Sequence, residues 1–207
     1  MRGRFITVEG LDGAGKSTQL DLAGTFLRQR GIPLCVTREP GGTTLGERLR
    51  ALLLDSKQAL HPETEALLMF AARREHIHEI IEPALARGDW VLCDRFSDAS
   101  YAYQAGGSGV PWEKIGALEA WVQGALEPDL TLYFDVSPEL GRARAGAIKT
   151  PDRFEQEQGD FHARVRAAYL RRAQEAPRRI HVVDANGSVD DVSAAMREIL
   201  LSFCKGS

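Results

Sequence analysis

The chain has 207 residues, a formal net charge of −3, 27% charged side chains and 43% apolar ones. That size suits one α/β domain with a substantial core, and the near-neutral balance excludes the global basic field of a non-specific nucleic-acid binder. No apolar run approaches membrane-spanning length, and Met1-Arg2-Gly3-Arg4 leads into the first apolar run without a signal segment, so the expected setting is the cytoplasm, with neither nucleic acid nor membrane as partner.

In chain order, the apolar run Phe5–Val8 predicts a strand and is followed by Gly10-Leu11-Asp12-Gly13-Ala14-Gly15-Lys16-Ser17, which fits the phosphate-loop pattern G-x-x-x-x-G-K-[ST]. Chance alone places those fixed positions in roughly one chain of this length in a hundred. Glycines let consecutive N–H groups turn around phosphate oxygens, Lys16 reaches the β/γ-phosphates and the Ser17 hydroxyl binds Mg²⁺. Leu20, Leu22, Ala23, Phe26 and Leu27 then recur at helical spacing until Gly31-Ile32-Pro33, and the helix N-terminus favours anions.

Four further apolar runs, Leu34–Thr37, Trp90–Cys93, Leu130–Phe134 and Ile180–Val183, alternate with helical patterns at 16–30, 43–54, 63–87, 112–125, 137–146, 159–175 and 188–203. The alternation predicts a doubly wound, five-stranded parallel sheet of the P-loop NTPase type, flanked by helices, in a single domain spanning 1–207. Ligands gather at the carboxyl ends of such strands. Strand two is followed by Arg38-Glu39-Pro40-Gly41-Gly42-Thr43, strand three by Asp94-Arg95, and strand four by Asp135 and a helix cap at Ser137-Pro138-Glu139.

Asp94 stands where a Walker-B carboxylate holds Mg²⁺ directly or through water; the ordinary alternative is a helix cap. The stretch Asp94–Gln104 reads as a loop rich in donors, acceptors and rings, suited to a flat polar ring or else a solvated helix start with packing tyrosines. Phe70 and Arg73 read either as core and solvated face or as a base-stacking ring beside an anion grip. Basic residues at 142–153 read either as an exposed charged face or as a lid that closes on a transferring phosphoryl group. Cys35, Cys93 and Cys204 read as buried thiols without disulfide or zinc, His76 and His78 as non-chelating, and Trp112 and Trp121 as packing residues.

Glu9-Gly10-x-Asp12-Gly13-Ala14-Gly15-Lys16-Ser17-Thr18-Gln19, Thr37-Arg38-Glu39-Pro40-Gly41-Gly42-Thr43, Phe70-Ala71-Ala72-Arg73, Asp94-Arg95-Phe96 with Ser100, Ala102, Tyr103 and Gln104, and Asp152-Arg153-Phe154-Glu155-Gln156-Glu157 together resemble the bacterial thymidylate kinase family over nearly the whole chain. The resemblance implies transfer of the γ-phosphoryl group of ATP to dTMP, giving dTDP and ADP, by a homodimer. It implies ATP on Gly10, Leu11, Asp12, Gly13, Ala14, Gly15, Lys16, Ser17 and Thr18, with Mg²⁺ on Ser17 and Asp94. It also implies Asp12 facing the acceptor sugar, and Arg73, Arg95 and Arg50 on its monophosphate. Phe70 would stack on thymine, Ser100 and Gln104 meet the base edge, Tyr103 block a ribose 2′-hydroxyl, and Glu39 and Pro40 line the acceptor pocket. Position 13 is glycine, so the catalytic arginine is expected in a mobile lid at about 142–160: Arg153 first, assisted by Arg142, Arg144 or Lys149. The lid departs from the family's shorter, more arginine-rich form. The helical stretches at 63–87 and 112–125 are the expected dimer surfaces. A nucleotide switch is the competing class, and the chain lacks its N-K-x-D guanine motif.

Overall fold

The structure, a computed structural model, describes residues 2–55, 59–145, 154 and 160–205. Five parallel strands, β1 (Phe5–Gly10), β2 (Leu34–Arg38), β3 (Trp90–Asp94), β4 (Leu130–Asp135) and β5 (Ile180–Asp184), lie in the order β2-β3-β1-β4-β5. The expected sheet is present. β1 and β4 are buried almost throughout, which is why they read as continuous apolar runs. The chain leaves β1 in one direction towards β2 and returns on the other side through β4, so the crevice at the end of β1 is the switch point where such sheets bind ligands.

Helices α1 (Lys16–Arg28), α2 (Thr44–Leu54), α3 (Pro62–His76), α4 (Glu82–Arg87), α5 (Ser97–Ser100), α6 (Trp112–Gln123), α7 (Pro138–Ala145), α8 (Phe161–Glu175) and α9 (Val189–Lys205) connect and flank the strands. One apolar cluster packs α1, α8 and α9 against the sheet through Leu27, Val165, Met196 and Phe134. A second packs α3, α4 and α6 through Phe70, Ile77, Leu85 and Ile115 against Phe5 and Val91. Full burial of such side chains contributes about 1.5–3 kcal/mol each.

Three sequence expectations change. Every strand extends one or two residues further, so Glu9, Asp94 and Asp135 belong to strands rather than to the turns after them. The expected helix 63–87 is interrupted by a π-helical turn, Ile77–Ile81, ahead of Pro83 at the first turn of α4; proline there cannot supply the N–H of a regular ladder. The polar stretch after β3 is not a loop: α5 continues into a π-helical segment, Tyr101–Gly107, whose side chains are mostly buried. Polarity concealed this helix because its polar groups face a site and buried partners instead of water.

Trp121 is 82% exposed rather than packed, whereas Trp112 packs against Tyr101 at 4.8 Å. Cys93 is buried as expected, but Cys35 and Cys204 are only half-buried, and all three are free thiols. Among the described residues no metal-ligating cluster occurs, and no helix is long and apolar enough to cross a membrane.

Candidate active site

β1 ends in a phosphate loop whose Gly13 and Gly15 have φ of 79° and 81°, the left-handed region that glycine enters without steric cost. A Cβ on Gly13 would stand 2.0 Å from the Gly141 carbonyl oxygen of α7. The same contact that requires glycine at position 13 therefore excludes an arginine from the phosphate loop in this packing. Lys16 is buried and donates to the Leu11 carbonyl at 2.8 Å and to Asp12 Oδ1 at 3.4 Å. Burial lowers its pKa, and nearby Arg95 lowers it further, against the opposing pull of Asp12 and Asp94.

A cavity of about 200 Å³ opens beside the loop, lined in part by Asp12, Lys16, Ser17, Asp94, Arg95 and Gln104. Glu39, Pro40, Arg50 and Tyr103 also line it, as the sequence reading expects, and Leu54, Met69, Ala99 and Phe154 join them without any polar signal in the sequence. Gly10 through Ser17 and Thr18 are brought together by the loop and the start of α1. Arg153 and Lys149 lie outside the described residues.

Arg95 has φ of 69°, the one positive-φ non-glycine residue among those described; such a position belongs to turns and functional sites. Its guanidinium donates to Asp12 Oδ1 at 3.0 Å, Tyr103 Oη at 3.0 Å and Tyr169 Oη at 3.2 Å, and stacks over the Tyr103 ring. Burial opposes its charge, but Tyr103, Asp12, Tyr169 and Asp94 outweigh burial and hold it protonated. Arg50 donates to the Pro40 carbonyl at 2.8 Å, and burial followed by the like charge of Arg38 lowers its pKa. Cations crowded in this way are stabilised by an anion placed among them.

Under the site, Glu9 is fully buried; it accepts from the Phe96 N–H at 2.7 Å and from the Tyr169 hydroxyl at 2.8 Å. Tyr169 in turn receives Arg95, so Glu9 braces that arginine through one hydroxyl. Burial pushes the Glu9 carboxyl from 4.5 up to about 8, with Asp98 adding to the rise and Arg95 opposing it. A raised folded-state value gives stability that is complete below the unfolded value near 4.5 and lost as pH rises through about 8. Glu9→Gln keeps the shape and removes the ionisation. Its melting temperature is expected to gain on the unsubstituted chain by on the order of 5 °C between pH 5 and pH 8; parallel melting profiles over that range would refute the buried acid.

The second half of the site depends on Arg73, which is 1% exposed and no part of a solvated face. It donates from Nε to Glu39 at 2.7 Å, and from Nη2 to the Phe96 carbonyl and to Ser100 Oγ, both at 3.1 Å. The structure thus places Arg73 with Ser100, while Arg50 and Arg95 stand in the cavity beside Asp94 and the phosphate loop. His76 Nδ1 donates to the other Glu39 oxygen at 2.9 Å, and its Nε2 lies 2.6 Å from Thr37 Oγ1. Burial raises the Glu39 pKa, but Arg73 and His76 more than offset it and leave the carboxyl below its usual range. Phe70 is 1% exposed beneath the Arg73 guanidinium, 4.5 Å from it, and does not line the cavity. The guanidinium lies over one face of the ring in a cation–π contact.

Three buried atoms around this site have no hydrogen-bond partner: Arg73 Nη1, Asp94 Oδ1 and Gln104 Oε1. Buried polar atoms left alone cost about 1–3 kcal/mol each, so three in one region mark where a polar ligand fits. Sequence reading missed Glu9 and Tyr169 as braces, His76 as a carboxylate partner and Glu65, which accepts from Gln104 Nε2 at 2.7 Å. Only Glu9 carried a signal, as a carboxylate immediately before the phosphate loop.

A second cavity, about 280 Å³, lies on the other side of the loop, lined by Gly15, Thr18, Arg144, Gly187 and Ser188 among others. Arg144 donates to the carbonyls of Ala185, Asn186 and Gly187, and exposed Arg142 to that of Pro138. Arg144 thus lines the second cavity, held by the turn after β5, while Arg142 is anchored through Nε alone.

The thymidylate kinase family model matches residues 8–196. The chain is 59% identical over 203 residues to the thymidylate kinase of Nitrosospira multiformis, covering 98% of this chain and 99% of that protein. It is 58% identical over 203 residues to that of Cupriavidus metallidurans, covering 98% and 100% respectively. The crystal structure of thymidylate kinase from Ehrlichia chaffeensis superposes with a TM-score of 0.78 at 34% identity, covering 97% of this chain and 99% of that one. Matched by the family model over residues 8–196 and by these relatives over nearly its whole length, the chain belongs to the thymidylate kinase family.

Proposed function

We propose that the first cavity receives dTMP and the second the base of ATP, with the phosphate loop between them. As a member of its family the chain is an ATP-dependent kinase that phosphorylates dTMP to dTDP. The observation that carries the division of the site is the grouping of Asp12, Lys16, Arg50, Asp94 and Arg95 at one end of a single cavity and Gln104 in its wall. Arg50 and Arg95 suit the acceptor phosphate, as bidentate anion binders. Ser100 and Gln104 suit the base edge, and Arg73 is reassigned to it, since its one open donor lies beside Ser100. Asp12 suits the sugar, Tyr103 its 2′ face, and Glu39 and Pro40 the pocket wall.

Mg²⁺ fits Ser17 and Asp94, which line the same cavity, with Asp94 Oδ1 buried and unpartnered. Mg²⁺ keeps several waters and takes few protein ligands beside phosphates, so no larger cluster is required, and when bound it neutralises phosphate charge. The acceptor phosphate is already a nucleophile at neutral pH and needs no base. The residues' work is to align two anions and oppose their repulsion. Arg95 serves this directly, with Lys16 turning from the Leu11 carbonyl to phosphate. Arg153 is proposed as the closing arginine on the family resemblance, with Arg142 and Arg144 holding the α7 side.

Self-association is proposed through the α3–α6 face, where Leu67 is 54% and Trp121 82% exposed over a shared apolar groove. A cytoplasmic location fits the three free thiols. The reading is tested by Mg²⁺-dependent ADP release from ATP against thymidine, uridine, cytidine, adenosine and guanosine monophosphates in deoxy and ribo forms. Strong release with dTMP and weaker release with dUMP supports it, because a lone methyl contributes only about 1–3 kcal/mol; preference for any purine would overturn the pocket assignment.

A further inference from the structure

We propose that Glu65 is a positioning residue that sets base preference by fixing which way round the Gln104 amide stands, an inference that rests on the acceptor-pocket reading above. Gln104 is fully buried in the cavity wall, and Glu65, on α3, is 2% exposed. The amide nitrogen donates to Glu65 Oε1 at 2.7 Å, while the amide oxygen is buried without a partner. A carboxylate can only accept hydrogen bonds, so the amino group must face it. A reversed amide would press two acceptor oxygens together in a buried place, where each lost partner is expensive.

The consequence is a one-sided reading head. The pocket wall carries an acceptor, Gln104 Oε1, and one helical turn away on the same segment, behind the lining, Ser100 accepts from Arg73, whose Nη1 is a buried donor without a partner. Uracil and thymine rings carry an N3–H donor beside a C4 carbonyl acceptor, which matches both. The cytosine ring carries an N3 acceptor beside a C4 amino donor, which opposes both. A site whose buried polar groups fit one pattern rejects the reverse pattern far more strongly than it rejects a missing methyl. Among the described residues that line the cavity none hydrogen-bonds the Gln104 amide nitrogen; Glu65, outside that lining, holds it.

The test compares dissociation constants and kcat/KM for dTMP, dUMP and dCMP in the unsubstituted enzyme, Glu65→Gln, Gln104→Ala and the double variant. Glu65→Gln keeps the volume but offers Gln104 both a donor and an acceptor, so either amide orientation is satisfied. The expected result is a dTMP-to-dCMP preference narrowed by about tenfold, chiefly through KM. The dTMP-to-dUMP ratio stays unchanged, because those bases share N3–H, and the double variant is no worse than Gln104→Ala alone. A purely structural role would lower all three acceptors together and leave the ratios intact. If Gln104→Ala narrows the preference and Glu65→Gln does not, the Glu65 proposal fails and the pocket reading stands; if Gln104→Ala changes no ratio, the pocket reading fails with it. Should Glu65→Gln not fold, the unsubstituted enzyme decides by nuclear magnetic resonance. Gln104 side-chain amide protons, identified by their loss in Gln104→Ala, exchange slowly if held on buried Glu65, and rapid exchange would overturn the proposal.

Discussion

Arg95→Lys is expected to keep the positive charge and still lose turnover by on the order of 10³-fold, the lower end of what an arginine at a transferring phosphoryl group supplies. Three acceptor oxygens, those of Asp12, Tyr103 and Tyr169, fix the guanidinium in the cavity that the phosphate loop lines. An ammonium group is a point charge on a flexible stem and cannot satisfy that set while also presenting a fork to phosphate. The residue also occupies a left-handed backbone position, φ 69°, that aims its side chain. Steady-state ADP release measures the outcome, with kcat expected to fall far more than ATP affinity. Turnover within threefold of the unsubstituted enzyme would show that neutralising charge alone suffices and would move the catalytic role to another arginine.

Glu39→Ala is expected to cost about 3–5 kcal/mol of stability, because it leaves Arg73 and His76 buried without their shared carboxylate. In a chain of this size that is roughly 10 °C in melting temperature, and a loss below about 1 kcal/mol would refute the network. Glu39→Gln separates charge from shape. Since Arg73 and His76 hold the folded-state carboxyl below its ordinary 4.5, its contribution is complete above that value and disappears as pH falls through the depressed one. The melting curves of Glu39→Gln and the unsubstituted chain should therefore converge towards pH 3 and separate towards pH 7. The direction is opposite to that of Glu9, where burial outweighs the pull of Arg95.

The same contrast shows what could be read before the fold was known. Spacing alone specified the phosphate loop, since Gly15, Lys16 and Ser17 act within one turn and need no distant partner. Alternating apolar runs specified the five strands and their parallel arrangement, because a two-sided buried sheet demands continuous apolar segments. The residues Arg95, Tyr103 and Gln104 could be singled out by type but not by partner. The helix that carries Tyr103 and Gln104 was concealed, because burial of polar side chains against one another leaves no hydrophobic period.

Tertiary structure alone decided the electrostatic outcomes. Glu9 and Glu39 are both buried strand-end carboxylates, yet one is pushed up to about 8 and the other held down, according to whether a cation of α3 comes within hydrogen-bond reach. Arg73, Arg142 and Arg144 looked alike as helical arginines; packing buried the first against Glu39 and tied the others to carbonyls. Glu65, 39 residues from Gln104, had nothing in its neighbourhood to distinguish it from a solvated acid. Local chemistry is written in short spacings, whereas charge state and orientation depend on which groups a fold brings within about 3 Å, and that is a property of the packed chain.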